Sequence, residues 1–161
     1  MTAYLREASA ADIAPVAMLD RRLSPVFSDE LAYRRLLGSK GLLVIAEDGG
    51  DLLGFAALSL VLDEASLLNL VVAEAARRRG CATKLLSYAA TRLAARNVRR
   101  VLLEVRESNS AALALYKGCG FNEDGRRLAY YSGAGGGGRE AAILMSQSLS
   151  ALQEAPARPV G

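Results

Sequence analysis

The segment Arg77-Arg78-Arg79-Gly80-Cys81-Ala82-Thr83 carries the residue types best suited to holding an anion. It follows an apolar run, Leu67, Leu68, Leu70, Val71 and Val72, and opens a stretch with helical periodicity. A strand that feeds a basic glycine turn and then a helix leaves the first-turn N–H groups without intrahelical partners. The helix dipole adds partial positive charge at the same place. Gly80 lets backbone approach a ligand oxygen with no Cβ in the way. The turn lacks the Lys-Ser/Thr ending of a nucleoside-triphosphate loop and the G-x-G-x-x-G of a dinucleotide fold. A diphosphate carried by some other cofactor fits it best.

Histidine is absent, and the two cysteines, Cys81 and Cys119, form no C-x-x-C. Ser-His-Asp and Cys-His mechanisms are therefore excluded, and no zinc or other metal site is expected. Carboxylates, tyrosines, backbone dipoles or a bound cofactor must carry the chemistry. Cys119 reads as a small buried apolar residue. Cys81 sits where a helix N-terminus could lower its pKa, but packing is the favoured role.

The elements that position these residues follow from pattern. Residues 3–8 suggest a strand, and Ser9 with Asp12 three residues on opens a helix to about Arg22 that holds Pro15 in its early turns. Ser28-Asp29-Glu30 starts a second helix, stopped at Gly38. Residues 42–47 and 52–61 form strands around the turn Asp48-Gly49-Gly50-Asp51. Segment 65–72 is apolar almost throughout, as in a strand covered on both faces. Ala82, Leu85, Leu86, Ala89 and Leu93 make one helical stripe to about Arg96. Residues 100–106 form a strand, and Ser108-Asn109 starts a helix running to Lys117 and ending at Gly118. Strands are expected near 119–123, 127–131 and 140–147, with 132–138 a flexible glycine loop and a frayed tail from about Ser150. The interleaving implies an α/β (α+β) class with a mixed sheet, in one domain over 1–149 and a flexible tail over 150–161.

Composition agrees with a single soluble domain: 161 residues, 52% hydrophobic, 23% charged, net charge +3. No apolar run approaches the roughly 20 residues a bilayer span needs, and no signal-peptide core is present, so a cytoplasmic location is the default. The arginines fall in short runs with few aromatics, which disfavours direct nucleic-acid binding.

Three features line up in order: the basic glycine turn after a buried strand, a strand carrying Glu104, and a helix carrying Asn109 and Tyr116. This resembles the GNAT acyltransferases, whose Arg/Gln-x-x-Gly-x-Gly/Ala signature reads here Arg77-Arg78-Arg79-Gly80-Cys81-Ala82. Within them it resembles most the RimI-type ribosomal-protein-alanine N-acetyltransferases. That closer likeness lies in Val61-Leu62-Asp63-Glu64-Ala65, Leu103-Glu104-Val105-Arg106-Glu107-Ser108-Asn109 and Ala114-Leu115-Tyr116. Gly120-Phe121-Asn122, Tyr130-Tyr131 and residues 139–145 extend it, over roughly residues 3–148.

The resemblance implies a GNAT fold: a mixed, mostly antiparallel twisted sheet flanked by helices, with strands splayed at an acetyl-CoA site. It implies acetyl-CoA as donor, held by the backbone of Leu70, Val71 and Val72, by the turn Arg78, Arg79, Gly80, Cys81, Ala82 and Thr83, and by Asn109. The acceptor implied is the N-terminal alanine of ribosomal protein eighteen of the small subunit. Glu104 would serve as general base through a water and Tyr116 as general acid toward the CoA thiolate. No membrane or nucleic-acid partner is expected, and the chain is taken to work as a monomer.

Each residue has a plainer reading. Glu104 taken alone is a half-exposed carboxylate paired with Arg106 or Arg99, Tyr116 a core side chain, and Asn109 a helix cap. Asp63 and Glu64 fit equally a strand-edge pair or a contact to a cationic substrate. Phe27-Ser28 stands where RimI-type enzymes often have Trp-Ser, so the acceptor pocket is expected to differ slightly. Two alternatives stay open: a GNAT enzyme for a small amine, and a non-catalytic acyl-CoA-binding module.

Overall fold

The computed structural model describes residues 3–131 and 140–150. A seven-stranded sheet in the order β1-β2-β3-β4-β5-β7-β6 forms its centre. The strands are β1 (Tyr4–Glu7), β2 (Gly41–Asp48), β3 (Asp51–Val61), β4 (Glu64–Val72), β5 (Arg100–Arg106), β6 (Asn122–Tyr131) and β7 (Glu140–Ser148). The helices are α1 (Ile13–Leu23), α2 (Glu30–Leu37), α3 (Cys81–Ala94) and α4 (Ser110–Gly118).

Alternation along β2 assigns the two layers. Leu42, Val44 and Ala46 face a core built with Leu85, Leu86, Ala89 and Leu93 of α3 and Tyr116 of α4. Leu43 and Ile45 face the other way, into a core with Ile13, Val16 and Leu19 of α1 and Tyr33 of α2. A period of two buried on both faces makes β2 apolar from Leu42 to Ala46. The β2–β3 turn places Gly49 and Gly50 at φ +58° and +89°, the left-handed pair that a two-residue hairpin demands.

All neighbouring strands are antiparallel except β4 and β5. Those two pair in parallel only through Glu64–Ser66 against Arg100–Leu102. β4 then runs on against β3 to Val72, and β5 runs on against β7 to Arg106, with no bond between them. The sheet opens there.

β4 also carries a bulge: Ala57 pairs with Asn69 and Leu58 with Leu67, which leaves Leu68 as the extra residue. An extra residue reverses the facing of everything beyond it. Ala65 and Leu67 belong to the α3 core, yet Val71 belongs to the α1 core. Leu68 is 58% exposed, so β4 is not covered on both faces as its apolar sequence suggests.

Two expectations need correction. The helix from Ser9 is two pieces: Ser9 and Asp12 close a capping box on a short 3-10 turn, and α1 proper begins at Ile13. The segments 119–123 and 127–131 are not two strands; a single β6 spans Asn122–Tyr131 with an irregularity between Glu123 and Gly125. Asp63 and Glu64 lie at the paired end of β4, where Glu64 meets Arg100 at 3.5 Å and the Asp63 carbonyl accepts from the Arg99 amide at 2.6 Å. That arrangement is compatible with the strand-edge reading and does not test the substrate-contact one. The glycine loop 132–138 and the tail beyond residue 150 lie outside the described residues.

Gly54 of β3 marks the tightest approach near the opening. A Cβ there would stand 2.6 Å from the Val71 carbonyl oxygen, 3.2 Å from Val72 Cα and 3.3 Å from Leu85 Cδ1. Two of those atoms are backbone and cannot swing away. Gly54→Ala is expected to lower stability by roughly 1–3 kcal/mol, as overpacking does. Thermal unfolding checks it, and an unchanged Tm contradicts the close approach.

Candidate active site

The opening between β4 and β5 is a cavity of about 670 Å³. β4 contributes Asn69, Leu70, Val71 and Val72, and β5 contributes Arg106. The turn before α3 supplies Ala76, Arg77, Arg78 and Gly80, and α3 itself supplies Cys81, Ala82 and Thr83. Asn109, Ala111, Ala112, Leu115 and Tyr116 close it from α4 and its cap, and Leu23–Val26 from the end of α1.

The turn before α3 leaves several amides free of helical partners. Arg78 has φ +62° and Gly80 φ +73°, two left-handed residues within three positions that reverse the chain sharply. Gly80 is the N-cap of α3. The first i→i−4 bond of the helix is made by Lys84 N to Gly80 O at 2.9 Å, so the amides of Cys81, Ala82 and Thr83 precede it. Those amides and the helix dipole converge on the cavity. Arg77 Nε donates to the Val72 carbonyl at 3.2 Å and ties the turn to the end of β4. Arg79 does not line the cavity, which narrows the expected set of arginines to Arg78, with Arg77 added.

Cys81 is buried at the cavity wall, and burial pushes its thiol up from the ordinary value, against the smaller opposing effect of Lys84. That favours the packing role. Asn109 caps α4 by accepting from the Ala112 amide at 3.1 Å while lining the cavity, so the cap and the ligand position coincide.

Tyr116 lies in the last turns of α4, 9% exposed, with its ring edge-on to Phe121 at 5.6 Å. Burial pushes its phenol up to about 12. It is a protonated donor beside the cavity at neutral pH. Glu104 is arranged otherwise. Its side chain is 36% exposed and meets Arg127 of β6 at 3.1 Å, not Arg106 or Arg99. It does not line the cavity, although Arg106, two residues on and on the same strand face, does. Arg106 also meets Glu140 at the start of β7 at 3.4 Å. Hydrogen bonds from Ser108, backed by Arg106, hold Glu140 below the usual carboxylate range.

A second cavity of about 530 Å³ lies between α2 and the sheet, lined by Phe27, Ser28, Tyr33, Arg35 and Leu68 among others. Val26 and Asn69 belong to both cavities and form the seam between them. Sequence reasoning passed over Asn69. Its signal was a lone polar residue in Leu67-Leu68-Asn69-Leu70-Val71-Val72.

The sequence model of the acetyltransferase (GNAT) family matches residues 11–121. The chain belongs to that family. It is an acetyl-CoA-dependent N-acetyltransferase with the GNAT fold, and it is of RimI type by its relatives. One is the [ribosomal protein bS18]-alanine N-acetyltransferase of Escherichia coli K12. It is 43% identical over 101 residues, which are 63% of this chain and 67% of that one. A crystal structure of the ribosomal-protein-alanine N-acetyltransferase from Escherichia coli superposes with a TM-score of 0.83 at 32% identity, covering 92% of this chain and 94% of the other. A variant of the spermidine N-acetyltransferase of Vibrio cholerae shares the fold, with a TM-score of 0.79 at 19% identity over 94% and 96% of the two chains. The fold of this acetyltransferase therefore does not choose the acceptor.

Acetyl-CoA fits the residues present: amides and arginines at one end of the larger cavity suit its diphosphate, and the unpaired run of β4 suits its amide-bearing arm. Among the described residues no cluster of potential metal ligands is found, and no helix is long and apolar enough to cross a membrane. Gly80→Ala places a Cβ in the left-handed cap. It is expected to weaken CoA binding about five- to thirtyfold, the equivalent of the 1–2 kcal/mol that such a conformation costs. Calorimetric titration with CoA checks this, and an unchanged Kd contradicts the role of the turn.

Proposed function

We propose that this acetyltransferase transfers acetyl to the α-amine of a protein N-terminus, with the alanine of ribosomal protein bS18 as its acceptor. The observation that carries the proposal is the pair of cavities meeting at Val26 and Asn69. A donor arm in one and an extended acceptor in the other would bring thioester and amine together at the seam, with no covalent acyl-enzyme required. The names and similarity of the relatives support the choice of acceptor.

In this mechanism Glu104 takes a proton from the attacking amine through a water. An α-amine has an ordinary pKa of about 7.7–8.0 and must be deprotonated to react. Backbone N–H groups of β4 in the Leu70–Val72 stretch polarise the thioester carbonyl as the nitrogen attacks. Once the C–S bond breaks, Tyr116 gives its proton to the departing thiolate and recovers one from solvent. The raised phenol pKa keeps Tyr116 in the acid form over the whole working range. Arg127 fixes the Glu104 carboxylate in the absence of substrate.

Glu104→Gln and Tyr116→Phe are each expected to lower kcat about a hundredfold, within the 10²–10⁴ range of proton-transfer catalysis, with little change in CoA affinity. If neither slows turnover, the proton-transfer roles are wrong. The rate should rise with pH as the amine deprotonates and show no falling limb from Tyr116 below about pH 10, since its phenol titrates near 12. A panel of peptides differing in the first residue, assayed for CoA release, tests the acceptor. Turnover on alanine-starting peptides and none on N-blocked ones is expected. Turnover restricted to free polyamines or amino acids would favour the small-amine reading.

A further inference from the structure

Asp20 of α1 is fully buried, at 0% exposure, and its carboxylate accepts three hydrogen bonds. On Oδ2 the donors are the Ser28 amide at 2.9 Å and the Tyr33 hydroxyl at 2.6 Å. On Oδ1 the donor is Asn69 Nδ2 at 2.8 Å. These donors belong to three different pieces of the site. Ser28 ends the connection whose earlier residues, Leu23–Val26, wall the larger cavity, and it lines the smaller one itself. Tyr33 is on the α2 wall, and Asn69 is the residue that the β4 bulge turns toward α1.

A buried carboxylate is a poor source of net stability, because the loss of hydration offsets most of what its partners return. Its effect is geometric. An acceptor-only group dictates which way the Asn69 amide faces, since the NH₂ must point to Asp20 and the carbonyl oxygen away from it. The same carboxylate fixes how far the 24–29 connection stands from β4, which sets the width of the seam. Hydrophobic packing alone would hold α1 on the sheet without specifying either quantity.

We propose that Asp20 is a positioning residue for the acceptor amine, acting through Asn69 and the Ser28 amide on the seam between the two cavities. This rests on the reading that the acceptor enters by the smaller cavity, and it goes beyond that reading by assigning a buried residue that touches neither substrate. The donor turn contributes no hydrogen bond to the Asp20 carboxylate.

The test uses the whole chain, with as acceptor whichever peptide or free amine the unaltered protein acetylates. Asp20→Asn keeps the shape but cannot accept on both sides at once, so the Asn69 amide loses its anchor. Acceptor kcat/KM should fall at least tenfold while the Kd for CoA stays within threefold. Leu93→Ala, a core truncation at the far end of α3, gives the comparison for mere loss of stability: a lower Tm with acceptor KM unchanged. The proposal is overturned if Asp20→Asn lowers Tm and leaves acceptor kcat/KM intact. It is equally overturned if the Kd for CoA weakens in step with acceptor kcat/KM, as a general loosening of the fold would give. If the unaltered chain acetylates only free amines, the peptide reading fails, and the same variants still decide the role of Asp20.

Discussion

The site depends on the parting of β4 and β5 after three paired residues. Each strand stays hydrogen-bonded on its outer side, β4 to β3 and β5 to β7, so the inner edges are held rigidly apart while their backbone groups lack a partner strand. Unpaired backbone in a dry interior would be costly. An open cavity removes that cost through water, and an amide-bearing substrate arm can take the place of the water. The residues flanking the gap therefore form a binding surface through what the sheet leaves undone.

The rest of the site closes around this gap. α3 follows β4 after a connection of residues 73–80 whose last three positions include two left-handed residues, which aims its free amides at one end. α4 brings a buried phenol to the other side, and the C-terminal end of α1 roofs the opening with Leu23–Val26. The bulge at Leu68 is the second decisive feature, since it turns Asn69 under α1 into contact with Asp20. The proposed donor binding thus belongs to the turn, and the proposed acceptor geometry to the bulge and its buried partner. The two are separable in space.

Much of this was legible in the residues. The hairpin at Gly49-Gly50, the limits of β5, the glycine that opens α3 and the Asn109 cap all follow from local rules, because each depends on a backbone conformation that few residues tolerate. The bulge was not legible, since an apolar run of Leu and Val gives no alternation from which a change of face could be read. Nor was the continuity of β6, since Gly125 falls between the two expected strands, 119–123 and 127–131, yet sits at an irregularity within one strand. The partner of Glu104 was missed for a different reason: Arg127 is 23 residues away in sequence and becomes a neighbour only through β7, which lies between β5 and β6.

The central claim is that donor and acceptor occupy two cavities joined at one seam. It is tested most directly with a conjugate of CoA linked through an acetyl bridge to the α-amine of an alanine-starting peptide. Its Kd, measured against those of CoA and of the free peptide, reports whether both cavities are filled at once. Affinity at least tenfold tighter than CoA alone, lost when the peptide portion is reduced to a methylamine, is the result predicted. Equal affinity for conjugate and CoA would contradict the joined-cavity account.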